Sequence, residues 1–512
     1  MKSVMGGETE YAISARNKSG RPIEQGPLLQ RMLDHAMQTL GYSSQSSRGR
    51  FLSNGGLLYL DAGLHLEWAT PECTSPFDVV RYLKAGDRIV HRVAMSFKER
   101  TGAADVFCSR TNVDYLSKTL WAAHESYQHD VPPAELPSQL MPFLASRVIL
   151  GAGGWDCTSP GLRFTMSPRA HFITRLADRD SQHVRPLFHT KDEPLSRTGS
   201  HRLHVACSES LCSETANVLR FGTTALVLAL LEHGIRPAAP VTLVSPIGAM
   251  QHFALNPGWR ACVTTEPRRW ISAAKIQRHY LDLVEKHLEL LRMPDWAERV
   301  CRMWRGVLDD LDADPARLEA TLDWGIRRRL FERHLERRGI AWSSLRWWNV
   351  ALDRLERVWA GASQKEPFAL RFLIEHDPRL AGEHLRVAKW LANHGLDWSQ
   401  LEALAAARDE VFELDAKFGA LGDAGLFNAL EAAGALRHQV GLDVESAVTE
   451  PPPDTRARIR GNVVHRLSQA GIRYAAEWTA VYDHKHNLAL DLNNPFETEE
   501  RWSDRLREGD VA

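Results

Sequence analysis

A strand-like run from Val4 to Ile13 contains the sequence Gly6-Gly7-Glu8-Thr9-Glu10-Tyr11, and the predicted fold is built around it. Side chains two residues apart in a β-strand lie on the same face of the sheet. Glu8 and Glu10 are therefore predicted to share one face. Neighbouring carboxylates repel each other, so this face is either solvated or neutralised by a bound cation.

Two further strand-like runs, Leu57 to Asp61 and Leu64 to Thr70, are joined at Ala62-Gly63. Each run places a pair of polar side chains on one face. If the three strands are neighbours in one sheet, their shared face gathers ligands of the kind that Mg²⁺ and Mn²⁺ prefer. A solvated sheet face lined by alternating acids is the other interpretation. The side chains concerned are Tyr59 with Asp61 and His65 with Glu67, and Glu72 lies farther along.

Two histidines lie in patterns that allow more than one role. His204 belongs to the strand-like run Arg202-Leu203-His204-Val205, and His124 precedes Glu125 in a weakly patterned region. Each histidine is a candidate metal ligand or phosphate contact, or else a hydrogen-bonded structural residue. Arg202 shares a face with His204, and its guanidinium is suited to bind a phosphate through two hydrogen bonds or to pair with a nearby acid.

The composition excludes several classes of protein. The 512 residues include 63 Lys and Arg against 64 Asp and Glu, a balance that excludes a generally basic nucleic-acid coat. The basic run Arg327-Arg328-Arg329 lacks interleaved aromatics and predicts a helix that is solvated or faces an acidic partner, so no nucleic-acid partner is expected. No membrane-spanning segment is expected, because long uncharged apolar runs are missing. Seven cysteines without a C-x-x-C pair indicate reduced thiols and a cytoplasmic location.

The order of predicted elements indicates an α+β protein. Ser75-Pro76 predicts the start of a helix, with a capping serine followed by a proline in the first turn. Residues 214–232 predict an apolar helix, and residues 271–435 have mostly helical periodicity. Pro451-Pro452-Pro453 marks a break before a small mixed segment that ends the chain.

Several motifs, taken together and in order, resemble the Pup–protein ligase and depupylase family, whose members are related to glutamine synthetase. The first motif is the sequence around Glu8, and the later ones extend the resemblance over most of the chain. These are Asn54-Gly55-Gly56-Leu57-Leu58-Tyr59-Leu60-Asp61, His65-Leu66-Glu67-Trp68-Ala69-Thr70-Pro71-Glu72-Cys73, His189-Thr190-Lys191-Asp192-Glu193-Pro194, Arg202-Leu203-His204-Val205, Ser213-Glu214-Thr215, Gly222-Thr223-Thr224, Asp323-Trp324, Glu413-Leu414-Asp415 and Pro452-Pro453-Asp454-Thr455-Arg456-Ala457-Arg458-Ile459-Arg460-Gly461.

The resemblance implies a fold and a division into domains. The implied fold is a glutamine synthetase-like antiparallel sheet that forms a cradle for ATP and Mg²⁺, with helices packed against it. Residues 1–445 are the expected catalytic domain, and residues 446–512 are the expected small C-terminal domain. Within the catalytic domain, residues 341–410 are predicted to form a helical insertion of two or three amphipathic helices.

The resemblance also implies a set of metal ligands. Glu8, Tyr59 and Glu67 match the family's Mg²⁺ ligands. His204 falls in a strand comparable to one that supplies a metal-ligand histidine in glutamine synthetase-like folds. Glu10 is expected as an additional acid near the metal ions.

The implied chemistry is ATP-dependent ligation of two proteins. ATP converts the C-terminal glutamate side chain of a small Pup-like or ubiquitin-like modifier into an acyl phosphate, and a target lysine then forms an isopeptide bond. Asp61 matches the catalytic aspartate that accepts a proton from the lysine. Thr70 and Trp478 match ATP contacts, and Arg202 is a further candidate for contact with the nucleotide. Lysine-bearing proteins are the expected targets, with neither nucleic acid nor membrane as a partner.

The ligase branch is favoured because depupylases carry a long loop after the first strand. Here that interval holds one helix and the short Ser-rich link Ser43 to Ser47. A depupylase or deamidase, and a ligase for peptides or small molecules, are the alternatives in the same fold. A binding module without catalysis is a further alternative, because Leu57 replaces a basic residue that contacts ATP in the family.

Other departures lie in the motif His189–Pro194 and at Ser126. His189 replaces the family's Asn, and Lys191 replaces its Arg, whose planar fork a lysine lacks. Ser126 replaces the Asn of a His-Glu-Asn motif. These changes concern the nucleotide geometry and the identity of the modifier.

Overall fold

The structure is a computed structural model that describes residues 4–40, 49–159, 161–179, 184–189, 195–196, 199–264, 267–350, 381–437 and 440–504. Its strands are β1 (Met5–Arg16), β2 (Arg50–Phe51), β3 (Leu57–Leu60), β4 (Leu66–Ala69), β5 (Asp105–Ser109), β6 (Glu125–His129), β7 (Gly154–Trp155), β8 (Phe164–Thr165), β9 (Arg175–Asp178), β10 (Pro186–His189), β11 (His201–Val205), β12 (Arg260–Cys262), β13 (Trp270–Ser272), β14 (Tyr474–Ala476), β15 (Ala480–Asp483), β16 (Leu488–Asp491) and β17 (Trp502–Asp504). The predicted links Ser43–Ser47 and Thr190–Pro194 lie outside the described residues.

The helices follow the strands and dominate the second half of the chain. They are α1 (Gln25–Leu40), α2 (Pro76–Thr101), α3 (Leu136–Ser146), α4 (Glu214–Glu232), α5 (Pro246–Leu255), α6 (Ala273–Leu291), α7 (Trp296–Ala313), α8 (Asp323–Arg337), α9 (Ala381–Ala392), α10 (Trp398–Phe418), α11 (Leu426–Ala432), α12 (Val444–Ala447) and α13 (Arg456–Gln469).

Strand β1 lies at the centre of a nine-stranded sheet. The strand order is β2-β3-β4-β1-β6-β11-β10-β9, and β5 pairs with the far half of β1. The described pairings in this sheet are antiparallel except for that of β9 with β10. Residues Glu8 to Tyr11 lie opposite Ala69 to Leu66 of β4. The predicted adjacency of the first three polar strands is therefore confirmed, as is the glutamine synthetase-like sheet.

The two faces of the sheet differ because polar and apolar residues alternate along β1 and β4. Tyr11, Leu66 and Trp68 are buried in the main hydrophobic core. The Trp68 indole N–H donates to the carbonyl of Tyr82 in α2, at 3.0 Å. Glu8, Glu10 and Glu67 have the opposite parity and lie on the open face of the sheet. Because side chains alternate with a period of two along each strand, the apolar face of the sheet packs against helices and the polar face lines a cleft.

Helices α2 and α4 cover the apolar face. Helix α2 begins as predicted, since the Ser75 side chain accepts a hydrogen bond from the N–H of Phe77 and Pro76 follows the cap. Helix α4 has the predicted bounds. Among the described residues it is the one helix with the length and apolar composition of a membrane span, and 94% of its 18-residue apolar window is buried. All seven cysteines are free, and the cytoplasmic location inferred from them stays a prediction.

A second hydrophobic core lies between α8, α9 and α10. Phe331, Trp348, Leu391 and Val411 are buried in it together with Trp155 of β7. Helices α9 and α10 confirm helical structure within residues 381–410, whereas residues 351–380, which include Trp359, lie outside the described part of the chain.

The solvated alternative for the basic run in α8 is wrong at its first residue. Arg327 is 2% exposed instead of solvated, and it pairs with Asp415 of α10. Its guanidinium also lies 4.1 Å from the ring centroid of Phe418. A buried cation needs such partners, and here they come from a distant helix.

The C-terminal part contains α13 and the four-stranded antiparallel sheet β14–β17. Its apolar side chains share one hydrophobic core with Phe51, Leu57 and Ala69 of the large sheet. The small mixed segment is thus confirmed as helix and strands. The division into domains at residues 445 and 446 stays a prediction.

Candidate active site

The open face of the sheet forms a cleft of about 1040 Å³ that gathers most of the predicted site residues. The cleft is lined by Glu8, Tyr59, Asp61, Glu67, Arg202, His204 and Trp478. Thr70 lies instead on an adjoining pocket of about 100 Å³, which shares Glu8, Arg202 and Trp478 with the cleft. Residues from five separate parts of the chain therefore meet at one place.

Two acids and a histidine form the centre of the cleft. His124 Nδ1 lies 3.1 Å from Glu8 Oε2 and 3.6 Å from Glu67 Oε1. Burial disfavours the charged form of Glu8, but the hydrogen bond with His124 and the charges of His124 and Arg202 outweigh it and lower the Glu8 pKa to about 2. Burial and the charge of Glu8 raise the pKa of Glu67 to about 7. Two carboxylates thus share one imidazole.

The two acids also change the pKa of His124. Burial opposes its protonation, yet Glu67 and Glu8 together raise the His124 pKa to about 10. The segment that carries His124 lies beside β1, because the N–H of Glu8 donates to the carbonyl of His124 at 3.0 Å. In the absence of a bound cation, the imidazolium of His124 neutralises part of the acid cluster.

Tyr59 projects from β3 toward the same acids. It lies opposite Glu67 in the antiparallel register. Burial, and then the charges of Glu67 and Glu8, raise the pKa of Tyr59 well above its usual value, so the phenol is neutral. The phenol therefore adds an oxygen to the cluster without adding a charge.

Asp61 occupies the turn between β3 and β4. Its Oδ1 accepts a hydrogen bond from the backbone N–H of His65 at 2.5 Å, and its Oδ2 lies 3.7 Å from His65 Nδ1. His65 Nδ1 also lies 3.1 Å from Glu10 Oε2. Burial raises the pKa of Asp61; the charge of Glu10 adds to this effect, against hydrogen bonds from the turn. A Cβ on Gly63 would lie 3.0 Å from Asp61 Oδ2, so this turn leaves little room beside the carboxylate.

His204 is held on the other side of the centre. Its Nδ1 lies 3.2 Å from Ser126 Oγ and 3.4 Å from Arg202 Nη2. Its ring centroid lies 5.0 Å from that of His124 and 5.7 Å from that of His189. Burial, followed by the positive charges of these neighbours, lowers the His204 pKa well below its usual value. The imidazole is therefore neutral, as a metal ligand must be.

The small pocket contains the two residues that match ATP contacts. Thr70 is buried, and its Oγ1 accepts a hydrogen bond from the N–H of Gly7 at 3.0 Å. Trp478 packs edge-on against Phe51, with ring centroids 5.0 Å apart, and the Arg460 guanidinium lies 4.8 Å from its ring. Both residues are thus fixed by close packing at the edge of the cleft.

Glu72 was expected farther along the same acid cluster, and that prediction is wrong. Its Oε1 accepts from Arg456 Nε at 2.6 Å, and its Oε2 accepts from Arg460 Nη2 at 2.5 Å. Burial raises and the two guanidinium groups lower its pKa, with a net decrease to about 2. Glu72 therefore joins α13 to the large sheet and holds no cation from solution.

Several residues around the cleft carry no signal in the sequence. Arg169, Arg179 and Arg185 line it, and Arg169 Nη1 donates to the carbonyl of Trp121 at 2.7 Å. They lie in turns and connections, where no periodicity identifies them. Lys191, which replaces a family arginine, lies outside the described residues. Leu57, which replaces the basic residue, also lines the cleft.

The donors at the centre of the cleft fit a divalent cation. Among the residues that the structure describes, Glu67 Oε1 is a buried oxygen without a hydrogen-bond partner. Three sets of side chains bring their ligand atoms within 4.8 Å of one another. These sets are Glu8 with His124 and His204, Glu10 with Glu67 and His124, and Glu10 with Asp61 and His65. Crowded carboxylates with an unsatisfied oxygen are the donors that Mg²⁺ and Mn²⁺ prefer.

Known proteins resemble this chain along nearly its whole length. The Pup–protein ligase of Micrococcus luteus is 28% identical to it over 523 residues, which cover 99% of this chain and 97% of that protein. A Pup deamidase/depupylase of Mycolicibacterium smegmatis is 30% identical over 439 residues, covering 84% of this chain and 74% of that protein.

A solved structure has the same fold. The complex between prokaryotic ubiquitin-like protein Pup and its ligase PafA matches with a TM-score of 0.73 and 23% identity, over 97% of this chain and 90% of that one. The model of the Pup-ligase protein family matches residues 3–365 and 385–482, and the internal gap between the two ranges lies inside the predicted insertion. Because this match covers most of the sequence, the chain belongs to the Pup-ligase protein family.

Proposed function

We propose that this chain is an ATP-dependent carboxylate–amine ligase that joins the glutamate side chain of a Pup-like modifier to lysines of target proteins. One observation carries the proposal: Asp61 lies in the same cleft as the Glu8 and Glu67 cation ligands. Similarity to Pup–protein ligases over nearly the full length supports the same reaction.

Glu8, Tyr59 and Glu67 are the residues that would hold Mg²⁺, with Glu10 and His204 beside them. When bound, Mg²⁺ neutralises charge on the phosphates of ATP. Arg202 and the rim arginines Arg169 and Arg185 place further positive charge along the same cleft. Phosphoryl transfer is catalysed mainly by such positioning and charge neutralisation.

The nucleotide is proposed to lie between the cleft and the small pocket. Trp478 and Thr70 both line that pocket, and Glu8 lies where the two spaces meet. In this proposal the base lies near the indole of Trp478 and the phosphates lie near the residues that would hold the cation. The buried hydrogen bond between Thr70 and Gly7 fixes the wall of the pocket beside the phosphates.

The reaction proceeds in two balanced steps. An oxygen of the modifier's carboxylate attacks the γ-phosphorus of ATP, ADP leaves, and an acyl phosphate remains. The lysine amine then attacks the acyl carbon, inorganic phosphate leaves, and an isopeptide bond forms. Asp61 accepts the proton that the amine loses, and its carboxylate is a stronger base than usual because burial raises its pKa.

The proposal is tested by incubating the full chain with ATP, Mg²⁺, a lysine-bearing protein and a Pup-like peptide that ends in glutamate. We expect a conjugate heavier by the peptide minus one water, and one ADP for each bond. An isopeptide at lysine by mass spectrometry supports the proposal. Absence of both conjugate and ADP with a panel of such peptides contradicts it.

Hydrolysis of a Pup–protein conjugate is the second candidate function, because depupylases match at 30% identity. The alignment spans 97% of the ligase of Micrococcus luteus but only 74% of the depupylase of Mycolicibacterium smegmatis, which favours the ligase branch. Release of free target from a purified conjugate, without net consumption of ATP, would identify hydrolysis instead.

A further inference from the structure

Leu195 lies at the junction between the cleft and the small pocket. It is half-buried, belongs to the connection between β10 and β11, and lines both spaces. Among the described residues, Leu195 and Trp478 are the two large apolar side chains that line both. Because the nucleotide is proposed to extend from one space into the other, it must pass between or beside these two side chains.

The backbone of Leu195 is in the left-handed region, with a φ of 43°. A residue other than glycine is strained there and keeps this conformation only where its surroundings hold it. The carbonyl of Leu195 accepts a hydrogen bond from Arg456 Nη2 at 2.8 Å. The next side chain is also fixed, since Ser196 Oγ donates to the carbonyl of Ser200 at 3.1 Å. The Arg456 guanidinium thus holds the peptide group that follows Leu195.

Arg456 is itself fixed by contacts with two other parts of the fold. Its side chain is 2% exposed, its Nε donates to Glu72 Oε1 at 2.6 Å, and its Nη1 donates to the carbonyl of Leu492 at 2.9 Å. Its backbone N–H donates to the carbonyl of Pro495 at 2.9 Å. A planar guanidinium holds several partners in fixed directions at once, which a lysine ammonium cannot do. Arg456 therefore links Leu195 to the large sheet and to the C-terminal segment.

The chemistry of the junction suits the nucleoside part of a nucleotide. Ligand pockets are lined mostly by apolar and aromatic side chains, with a few polar groups that set the orientation. An indole and a branched apolar side chain offer such a surface to a flat base and to the carbon atoms of a sugar. The charged residues Glu8 and Arg202 line the same two spaces and suit the polar end of the ligand.

We propose that Leu195 packs against the nucleoside of bound ATP, and that Arg456 is the positioning residue that holds Leu195 in place for this contact. The inference rests on the proposed function, because it deepens the assignment of the nucleotide to these two spaces. Arg456 acts through the Leu195 carbonyl. Nucleotide binding is measurable without any ligation.

The test measures the affinity of the full chain for ADP, in the presence of Mg²⁺, by isothermal titration calorimetry. Leu195→Gly should weaken ADP binding roughly tenfold, because the apolar contact is lost although glycine adopts this backbone conformation freely. Arg456→Lys should weaken it about fivefold, because one ammonium cannot bond Glu72 and hold the Leu195 carbonyl together. Leu64→Gly is the matched control with unchanged affinity, since Leu64 also has a positive φ, of 60°, but lines neither space.

The double variant separates positioning from a general structural role. When Leu195 is already glycine, Arg456→Lys should change the ADP affinity by less than about twofold, because the side chain that it positions is gone. A general structural role predicts the same loss in both backgrounds. In conjugation assays, Arg456→Lys should raise the KM for ATP and leave kcat nearly unchanged, since Asp61 and the acid cluster are intact.

Unchanged ADP affinity in Leu195→Gly would overturn the inference, and this variant decides the question even if Arg456→Lys does not fold. Additive losses in the double variant would also overturn it. Absence of ADP binding by the unaltered chain would overturn both the inference and the proposed function. Conjugation by the unaltered chain, with ADP affinity unaffected by Leu195→Gly, keeps the proposed function and removes the inference. The expected pattern of ADP affinities without any conjugate does the reverse.

Discussion

Glu67 and Glu72 lie five residues apart and are both buried, with exposed fractions of 2% and 8%, yet their surroundings are opposite. Glu67 faces Glu8 and has a buried oxygen without a partner among the described residues. Glu72 is bound by the guanidinium groups of Arg456 and Arg460. Burial and then the charge of Glu8 raise the pKa of Glu67 to about 7, whereas the two guanidinium groups overcome burial and lower the pKa of Glu72 to about 2.

The contrast shows how a buried acid with a functional role can be distinguished from one with a structural role. A buried carboxylate that is matched by arginines joins two parts of the fold. A buried carboxylate that lies beside other acids destabilises the folded chain unless a cation binds, so its position points to function. The acid cluster and the Glu72 cluster can therefore be distinguished by activity and by stability.

The largest expected effect is on the rate of conjugation, and it concerns Asp61 beside the acid cluster. Asp61→Asn should lower the rate of conjugation by about 10²- to 10⁴-fold, because the amide cannot accept the proton of the lysine. The melting temperature should stay close to that of the unaltered chain, since Asp61 has no arginine partner among its described contacts. Gel assays of conjugation and thermal unfolding measure the two quantities. A variant that conjugates at the original rate would remove Asp61 from the mechanism.

Glu72→Gln is expected to affect stability more than any substitution in the acid cluster. Removing one partner leaves buried guanidinium charge without compensation, at a cost of about 3–5 kcal/mol in the free energy of unfolding. Urea denaturation followed by tryptophan fluorescence measures this loss. A loss below about 1 kcal/mol, the range of surface ion pairs, would contradict the structural role assigned to Glu72.

The pH dependence of stability follows from the lowered pKa of Glu72. A carboxylate with a depressed folded pKa stabilises the fold above its unfolded pKa, and this contribution is lost as pH falls from about 4.5 toward 2. The difference in unfolding free energy between the unaltered chain and Glu72→Gln should therefore shrink by about 2 kcal/mol between pH 7 and pH 3. A difference that is constant with pH would contradict the assignment.

The smallest effect, with the opposite sign, is expected at Glu67. A buried acid with a raised folded pKa destabilises the fold above its unfolded pKa, and the penalty increases between about pH 4.5 and 7. In EDTA at pH 8, Glu67→Gln should raise the unfolding free energy by about 1–2 kcal/mol, while activity falls. Added Mg²⁺ should stabilise the unaltered chain more than this variant. If Glu67→Gln is less stable than the unaltered chain in EDTA, the prediction that the acids repel each other in the folded chain is wrong.

The parts of this molecule that follow local periodicity were predictable from the sequence. The same-face placement of Glu8 with Glu10 follows from a period of two, and the helix start at Ser75 follows from its cap. The roles of Thr70 and Trp478 were reached only through the family resemblance, and they stay predictions. Long-range pairing was not predictable: Arg460 meets Glu72 across 388 residues, and no local pattern links them.

The buried Arg327 and the rim arginines illustrate the same limit. Arg327 stands in a basic run that is typical of a solvated helix, yet its partner Asp415 lies 88 residues away. Arg169 and Arg185 lie where the chain has no regular repeat, so their convergence on the cleft depends on tertiary structure alone. Sequence patterns identify which side chains share a face, but they do not identify what packs opposite that face.

The core shared by β2, β3 and α13 sets an order of events during synthesis. Arg460 is translated 405 residues after Gly55, whose carbonyl it binds. At roughly 5–20 residues per second, the ribosome needs roughly 20–80 seconds to cover that distance. Until then Phe51 and Leu57 lack the apolar side chains that bury them, and an uncovered apolar strand edge is prone to aggregate. The last segment to be synthesised therefore completes the burial of these strands, and we expect chains terminated before residue 456 to aggregate more readily than the full chain.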